Sequence, residues 1–202
     1  MLKVENTEVV GFDHAIRGMR NPMNSWDKSD SCECYDDYDC ASCRQCKIKE
    51  IECGYIYCVG QNDLDLMKRL VKAGTDHSKF MRMITVYVDI TAPLYWFKEF
   101  DTYKVGTVAN SCSTMHKIHE KEFTLDDFSH EHLSFYGVQT LKTVIERLNE
   151  SRQLFNSFKN KAHWWDIIQL LPTSYNQKRT VQLNYAVLRA MYHARVTHKL
   201  DE

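Results

Sequence analysis

Apolar and polar positions alternate in short stretches in the first half of the chain and recur with a 3.6-residue period in the last third. Residues 2–10 alternate loosely and end in Val9-Val10, which reads as a first strand. Asp13 to Arg20 reads as a short helix, and Pro22 with the polar run Asn24 to Asp30 then breaks regular structure. Asn62-Asp63 is expected to cap a helix that carries Leu64, Leu66, Met67, Leu70 and Val71 mostly on one face, with Gly74 at the stop position. Met83 to Ile90 alternates as a strand: Ile84, Val86 and Val88 point one way, Thr85, Tyr87 and Asp89 the other. A helix is expected from Ala92-Pro93 to about Phe100, with the proline in the first turn. Tyr103 to Ser113 reads as irregular and Thr124 to His132 as a polar connection. Gly137 to Lys159 places Val138, Leu141, Val144, Ile145 and Leu148 at helical spacing, and Trp164 to Leu171 is a short apolar helix ended by Pro172. The last helix is expected to start at a cap on Thr173 or Ser174 and to carry Val181, Leu188 and Met191 on or near one face. Strands come first and helices later, which gives an α+β class rather than a doubly wound sheet.

Composition narrows this picture. A length of 202 residues suits a single domain over 1–202, and 44% hydrophobic residues argue against disorder. The net charge of −1 calls for no nucleic-acid partner, so any phosphate site must come from local clustering of cations. No apolar run is long enough to span a membrane, and the start of the chain lacks the apolar stretch of a signal peptide, so a cytoplasmic location is expected. No glycine-rich dinucleotide or triphosphate motif occurs.

A cytoplasmic setting changes how the cysteines are read, since disulfides are rare there. Residues 31–58 form a Cys- and Asp-rich insertion with almost no aliphatic side chains at its start. Cys32, Cys34, Cys40, Cys43 and Cys46 have the close spacing that lets thiolates converge on zinc, or on an iron–sulfur cluster. Metal binding would also supply stability that so polar a stretch lacks. The alternative is a solvated loop of thiols, which Asp36, Asp37 and Asp39 favour. His116 with His119 and His130 with His132 read as surface histidines, and Tyr95-Trp96-Phe97 and Trp164-Trp165 as core or subunit-interface aromatics.

Asn184 and Arg195 lie eleven residues apart, about three helical turns, and so would share a helix face with Leu188. An amide and a guanidinium aligned on an apolar face suit an elongated ligand with an anionic end. Equally, Asn184 can satisfy a neighbouring backbone group and Arg195 can pair with a carboxylate.

The register Leu171-Pro172, Asn184, Leu188, Arg195 resembles the C-terminal motif of the flavin-dependent thymidylate synthases. A second block resembles the same family: His77 before a strand, Lys98-Glu99, Thr102-Tyr103-Lys104, then Asn110 and Ser113. The resemblance covers roughly residues 75–195. It implies a mixed or antiparallel sheet flanked by helices, and methylation of deoxyuridylate with methylenetetrahydrofolate and reduced FAD. It implies that His77, Lys104, Asn110, Asn184 and Leu188 contact the flavin cofactor and that Glu99, Ser113 and Arg195 contact the pyrimidine nucleotide. Arg195 would be the catalytic residue, gripping and polarising the base. Family active sites form between subunits of a tetramer, which implies a homo-oligomer.

The chain departs from the family where arginines are expected, with Thr102, Met115, Ile168 and Ala186 in their places. Such arginines hold phosphates through charge-assisted, often bidentate bonds. Each is worth about 1.5–3 kcal/mol. Lys79, Arg82, Lys98, Lys104 and Lys117 are nearby in sequence as substitutes. The residues therefore leave open a divergent enzyme, a non-catalytic nucleotide-binding or assembly protein on the same fold, and a protein whose function resides in a metal-bound cysteine lobe.

Overall fold

The computed structural model describes residues 2–34 and 56–197. Their order is β1 (Lys3–Val10), α1 (Phe12–Arg20), β2 (Cys32–Cys34), β3 (Ile56–Cys58), α2 (Gln61–Ala73), β4 (Thr85–Pro93), α3 (Leu94–Phe100), β5 (Val108–Ser111), α4 (Phe135–Phe158), α5 (Lys161–Leu170), β6 (Asn176–Asn184) and α6 (Tyr185–Arg195). Four strands form a sheet in the order β1-β4-β6-β5, and β2 and β3 form a separate antiparallel ribbon. The class is α+β, an antiparallel sheet flanked by helices, as the residue pattern and the resemblance implied.

The chain divides into two compact units. One comprises Met1–Thr7, Tyr87–Gln182 and His198–Glu202; the other comprises Glu8–Val86 and Leu183–Thr197. In the first unit the core gathers Ile118, Phe123, Phe128 and Ile167 with Leu141, Ile145 and Leu148 of α4. The last three recur at four- and three-residue steps, so one stripe of the helix faces inward while the rest meets solvent. Ser134 accepts a hydrogen bond from the Gly137 amide and starts α4; Asn160 does the same from Ala162 for α5.

In the second unit Ala15, Ile16 and Met19 of α1 pack with Met67, Phe80 and Ile84. The entry to α1 needs Gly11: its φ is +92°, and a β-carbon there would sit 2.3 Å from the Met83 carbonyl oxygen. Deeper in, the fully buried Asp63 accepts from Arg20 Nε at 2.6 Å, Ser29 Oγ at 2.7 Å and Ser31 Oγ at 2.6 Å. Arg20 also donates to the carbonyls of Ser25 and Lys28. The Asp30 carboxylate accepts from the amides of Asn62 and Asp63, so it caps the first turn of α2. This corrects the expected cap. Asn62-Asp63 sit inside the helix, and its cap is brought in by tertiary structure from before the cysteine-rich stretch.

Three other expectations change. The segment 103–113 contains β5, paired antiparallel with β6 through Val108↔Gln182 to Ser111↔Arg179. Strand β4 continues through Pro93, so α3 begins at Leu94. The stretch expected to open the last helix is β6, in which Gln177, Val181 and Leu183 alternate as buried positions. Strand β4 alternates as read from sequence, with Val86, Val88, Ile90 and Ala92 buried. On its other side Asp89 accepts from Thr180 Oγ1 at 2.7 Å and Asn6 Nδ2 at 2.9 Å and faces Lys178 Nζ at 3.0 Å. Those contacts hold its carboxyl down to about 2 and tie the first residues of β1 to the sheet. Among the described residues no helix is long and apolar enough to cross a membrane.

Candidate functional site

The residues singled out from sequence fall in both units. In the second unit, Asn184 stands at the N-cap of α6, its side-chain oxygen accepting from the Val187 amide at 3.1 Å. It therefore precedes the helix rather than lying on its face, because the chain is still extended there. Leu188 and Arg195 lie two turns apart on α6 and do share a face. His77 occupies the exposed turn after α2, its amide bonded to the Gly74 carbonyl at 3.2 Å. The short turn Lys79–Arg82 that follows it packs against α6, and the Tyr185 amide donates to the Ile84 carbonyl. His77, Asn184, Leu188 and Arg195 thus all lie in the second unit, where the turn just after His77 packs against α6.

In the first unit, Glu99 lies in the last turn of α3 and its carbonyl accepts from Thr102 Oγ1 at 2.7 Å. Lys104 is exposed just beyond. Asn110 is an exposed residue of β5, opposite Thr180. Ser113 Oγ accepts from the amides of Met115 and His116 at 3.1 and 3.0 Å, which fixes the turn leaving β5 and keeps the serine proton for a further acceptor.

Sequence reading missed Arg179. It lies on β6, opposite Ser111, with its guanidinium 3.8 Å from the centre of the Phe97 ring. Nη1 donates to Asp101 at 2.8 Å and Nε to Gln177 Oε1 at 2.9 Å; Gln177 in turn donates to the Cys112 carbonyl at 2.7 Å. This chain of contacts joins the end of α3, where Thr102-Tyr103-Lys104 follow, to the end of β5, where Ser113 follows. The available signal was the alternation Gln177, Arg179, Val181, Leu183, which marks a strand face.

The positions where the resemblance expects arginines have other roles. Thr102 bonds locally to Glu99, and the Met115 carbonyl accepts from Trp164 Nε1 at 3.0 Å. His130 Nδ1 lies 2.8 Å from the Phe128 carbonyl, and His119 meets the Phe155 ring edge-on, so both histidines are placed by packing.

The zinc expectation finds no support: among the described residues, no three His, Cys, Asp or Glu side chains gather to hold a metal ion. Cys40, Cys43 and Cys46 lie outside the described residues, as does the side chain of Cys34. Cys32 stands opposite Cys58 in the β2–β3 ribbon.

No protein-family model matches the chain, and no curated protein matches it in sequence. Solved structures do. It is similar to flavin-dependent thymidylate synthase ThyX from Helicobacter pylori complexed with FAD and dUMP, with a TM-score of 0.62 at 15% identity over 98% of this chain and 86% of that one. It is also similar to the UMP/dUMP methylase PolB from Streptomyces cacaoi bound with 5-Br UMP, with a TM-score of 0.56 at 10% identity over 95% of this chain and 75% of that one. The chain has the fold of the flavin-dependent thymidylate synthases, and the resemblance carried by Asn184, Arg195 and His77 holds at the level of fold.

Proposed function

We propose that this chain is a divergent thymidylate synthase-like protein that binds a pyrimidine nucleotide and methylates deoxyuridylate, with methylenetetrahydrofolate as carbon source and reduced FAD as reductant. The observation that carries the proposal is the likeness, over nearly the whole chain, to an enzyme solved with FAD and dUMP. FAD would supply the reducing equivalents. The residues fit such a ligand in donor chemistry. Asn184 has spent its oxygen on the helix cap and keeps its amide protons; Ser113 keeps its hydroxyl proton; Lys104 and Arg195 are cationic. Donors and cations together suit phosphates and carbonyl oxygens.

In this reading His77, Lys104, Asn110, Asn184 and Leu188 face the cofactor. Glu99, Ser113 and Arg195 face the nucleotide, and Arg195 sets its positive charge beside the base to draw electron density through the ring. The chain is read as one thymidylate synthase-like domain over 1–202, with residues 31–58 inserted, and as a cytoplasmic homo-oligomer with the tetramer as the family's form.

A second reading, a non-catalytic nucleotide-binding or assembly protein on the same fold, is favoured by Thr102, Met115 and Ile168 standing where arginines would grip phosphate. Absorbance spectroscopy of the purified chain separates the two. The enzyme is expected to be yellow, or to turn yellow with added FAD, and to lose deoxyuridylate binding in calorimetry on Arg195→Ala. A colourless protein that takes up no FAD would leave the second reading.

A further inference from the structure

A cavity of about 730 Å³ lies in the second unit, and none of the residues assigned above to cofactor or nucleotide lines it. Lys28 forms one wall, α2 forms another with Asn62, Asp65, Leu66, Lys68 and Arg69, and the buried Arg20 reaches it from α1. We propose that this cavity binds a small phosphate-bearing anion.

Charge is the first reason. Some of the protein's cations are neutralised in ion pairs, as Lys178 is by Asp89 and Arg179 by Asp101; Lys28, Lys68 and Arg69 are instead gathered on one concave surface. Among the described residues, the side chains of Lys28, Lys68 and Arg69 meet no carboxylate. Arg20 is already balanced by Asp63. Among the described residues that line the cavity, the one carboxylate is Asp65, which accepts from Gln61 Nε2 at 2.8 Å. Among the described lining residues, three cations besides Arg20 against one carboxylate leave an excess of two positive charges on a concave surface, in a chain whose net charge is −1. Such a concavity focuses field and concentrates anions.

Rigidity is the second reason. Arg20 Nη2 donates to the Lys28 carbonyl at 3.0 Å while its Nε holds Asp63, a residue of the α2 wall's first turn. Asp30, two residues beyond Lys28, binds the Asn62 and Asp63 amides at 2.9 and 3.1 Å. The two walls are therefore fixed to each other around the buried Arg20–Asp63 pair, so little ordering remains for a ligand to impose. Because Asp30 occupies the amides at the start of α2, an anion here is held by the Lys and Arg side chains and not by the helix terminus.

Size and lining set the ligand class. The volume lies within the roughly 300–1,000 Å³ of small-molecule sites. Leu66 and the side-chain amide of Asn62 offer an apolar surface and a hydrogen-bonding group for an organic portion, while the cations take the phosphate.

Titration calorimetry of the full chain with inorganic pyrophosphate, then with uridine monophosphate, tests this. Saturable binding of either probe is expected, weakened about tenfold or more in Lys68→Glu/Arg69→Glu. Both residues are exposed, so the thermal midpoint should stay within a few degrees. Lys142→Glu, an exposed change on α4, should bind as the wild type does, and Arg195→Ala should retain pyrophosphate binding. Binding of pyrophosphate alone identifies a phosphate site; tighter binding of the nucleotide that persists in Arg195→Ala and weakens in Lys68→Glu/Arg69→Glu adds the organic portion. No heat with either probe up to about 1 mM, in the weak-binding range, overturns the proposal. So does an affinity unchanged in Lys68→Glu/Arg69→Glu, or lost in Arg195→Ala.

Discussion

Asp63 shows what a single residue contributes. Burial alone would raise its pKa, but hydrogen bonds from Ser31, Ser29 and Arg20 outweigh that and hold it below the ordinary carboxylate range. A folded-state pKa below the unfolded value of about 3.9 means its stabilisation is complete above that pH and fades as pH falls through the folded value. Asp63→Ala leaves the Arg20 charge buried and unpaired, with an expected loss of about 3–5 kcal/mol in urea unfolding. Arg20→Met/Asp63→Leu should cost far less, because neither charge remains. A double variant as unstable as the single one would show that the pair does more than satisfy itself. The role was partly legible. Asp63, Met67 and Leu70 recur at four- and three-residue steps, which puts the aspartate on the packed face of α2; reading it as a cap missed that, because the true cap, Asp30, comes from a distant part of the sequence.

At the scale of elements, the junction of β6 and α6 carries most of the C-terminal resemblance. Val181, Leu188 and Met191 fit helical spacing, so the sequence reads as one long helix. The chain is instead extended to Asn184 and turns there, because burial of Val181 and Leu183 in the sheet outweighs a local pattern of three residues. Strand β5 was illegible for a related reason: all four of its residues are exposed, so no alternation marks it, and only its ladder to β6 makes it a strand. The cap gives Asn184 a structural duty apart from any ligand. Asn184→Ala should cost about 0.5–2 kcal/mol, and Asn184→Ser should keep most of the stability, since serine caps well. If the amide also faces flavin, both variants lose FAD uptake. Undiminished uptake in Asn184→Ser would reduce the residue to its cap.

Across the whole molecule, fold and site were unequally legible. The order and spacing of His77, Asn110, Ser113, Asn184 and Arg195 were enough to anticipate the fold. Arg179 was not, because its value depends on Phe97, Asp101 and Gln177 meeting it in space. Large apolar side chains are exposed on several elements: Phe135 at 73%, Tyr136 at 80% and Phe158 at 72% on α4, and Leu188, Tyr192 and Val196 in and just after α6. Surfaces of this kind mark interaction sites more often than bare solvent faces. Light scattering should give a mass at a multiple of the 23.8 kDa chain. A monomer at micromolar concentration would remove the homo-oligomer from the proposed function.

The network around Asp63 has one more consequence. It fastens residues 29–31 to residues 60–63, and Cys32 and Cys58 follow as facing partners in a ribbon. Residues 34 and 56, paired at the end of that ribbon, are therefore held side by side. Lengthening a closed loop costs little, about 0.6 kcal/mol for each doubling. With the two ends fixed in this way, an epitope or reporter spliced between residues 34 and 56 should cost the second unit little stability, which thermal unfolding of the spliced chain would check.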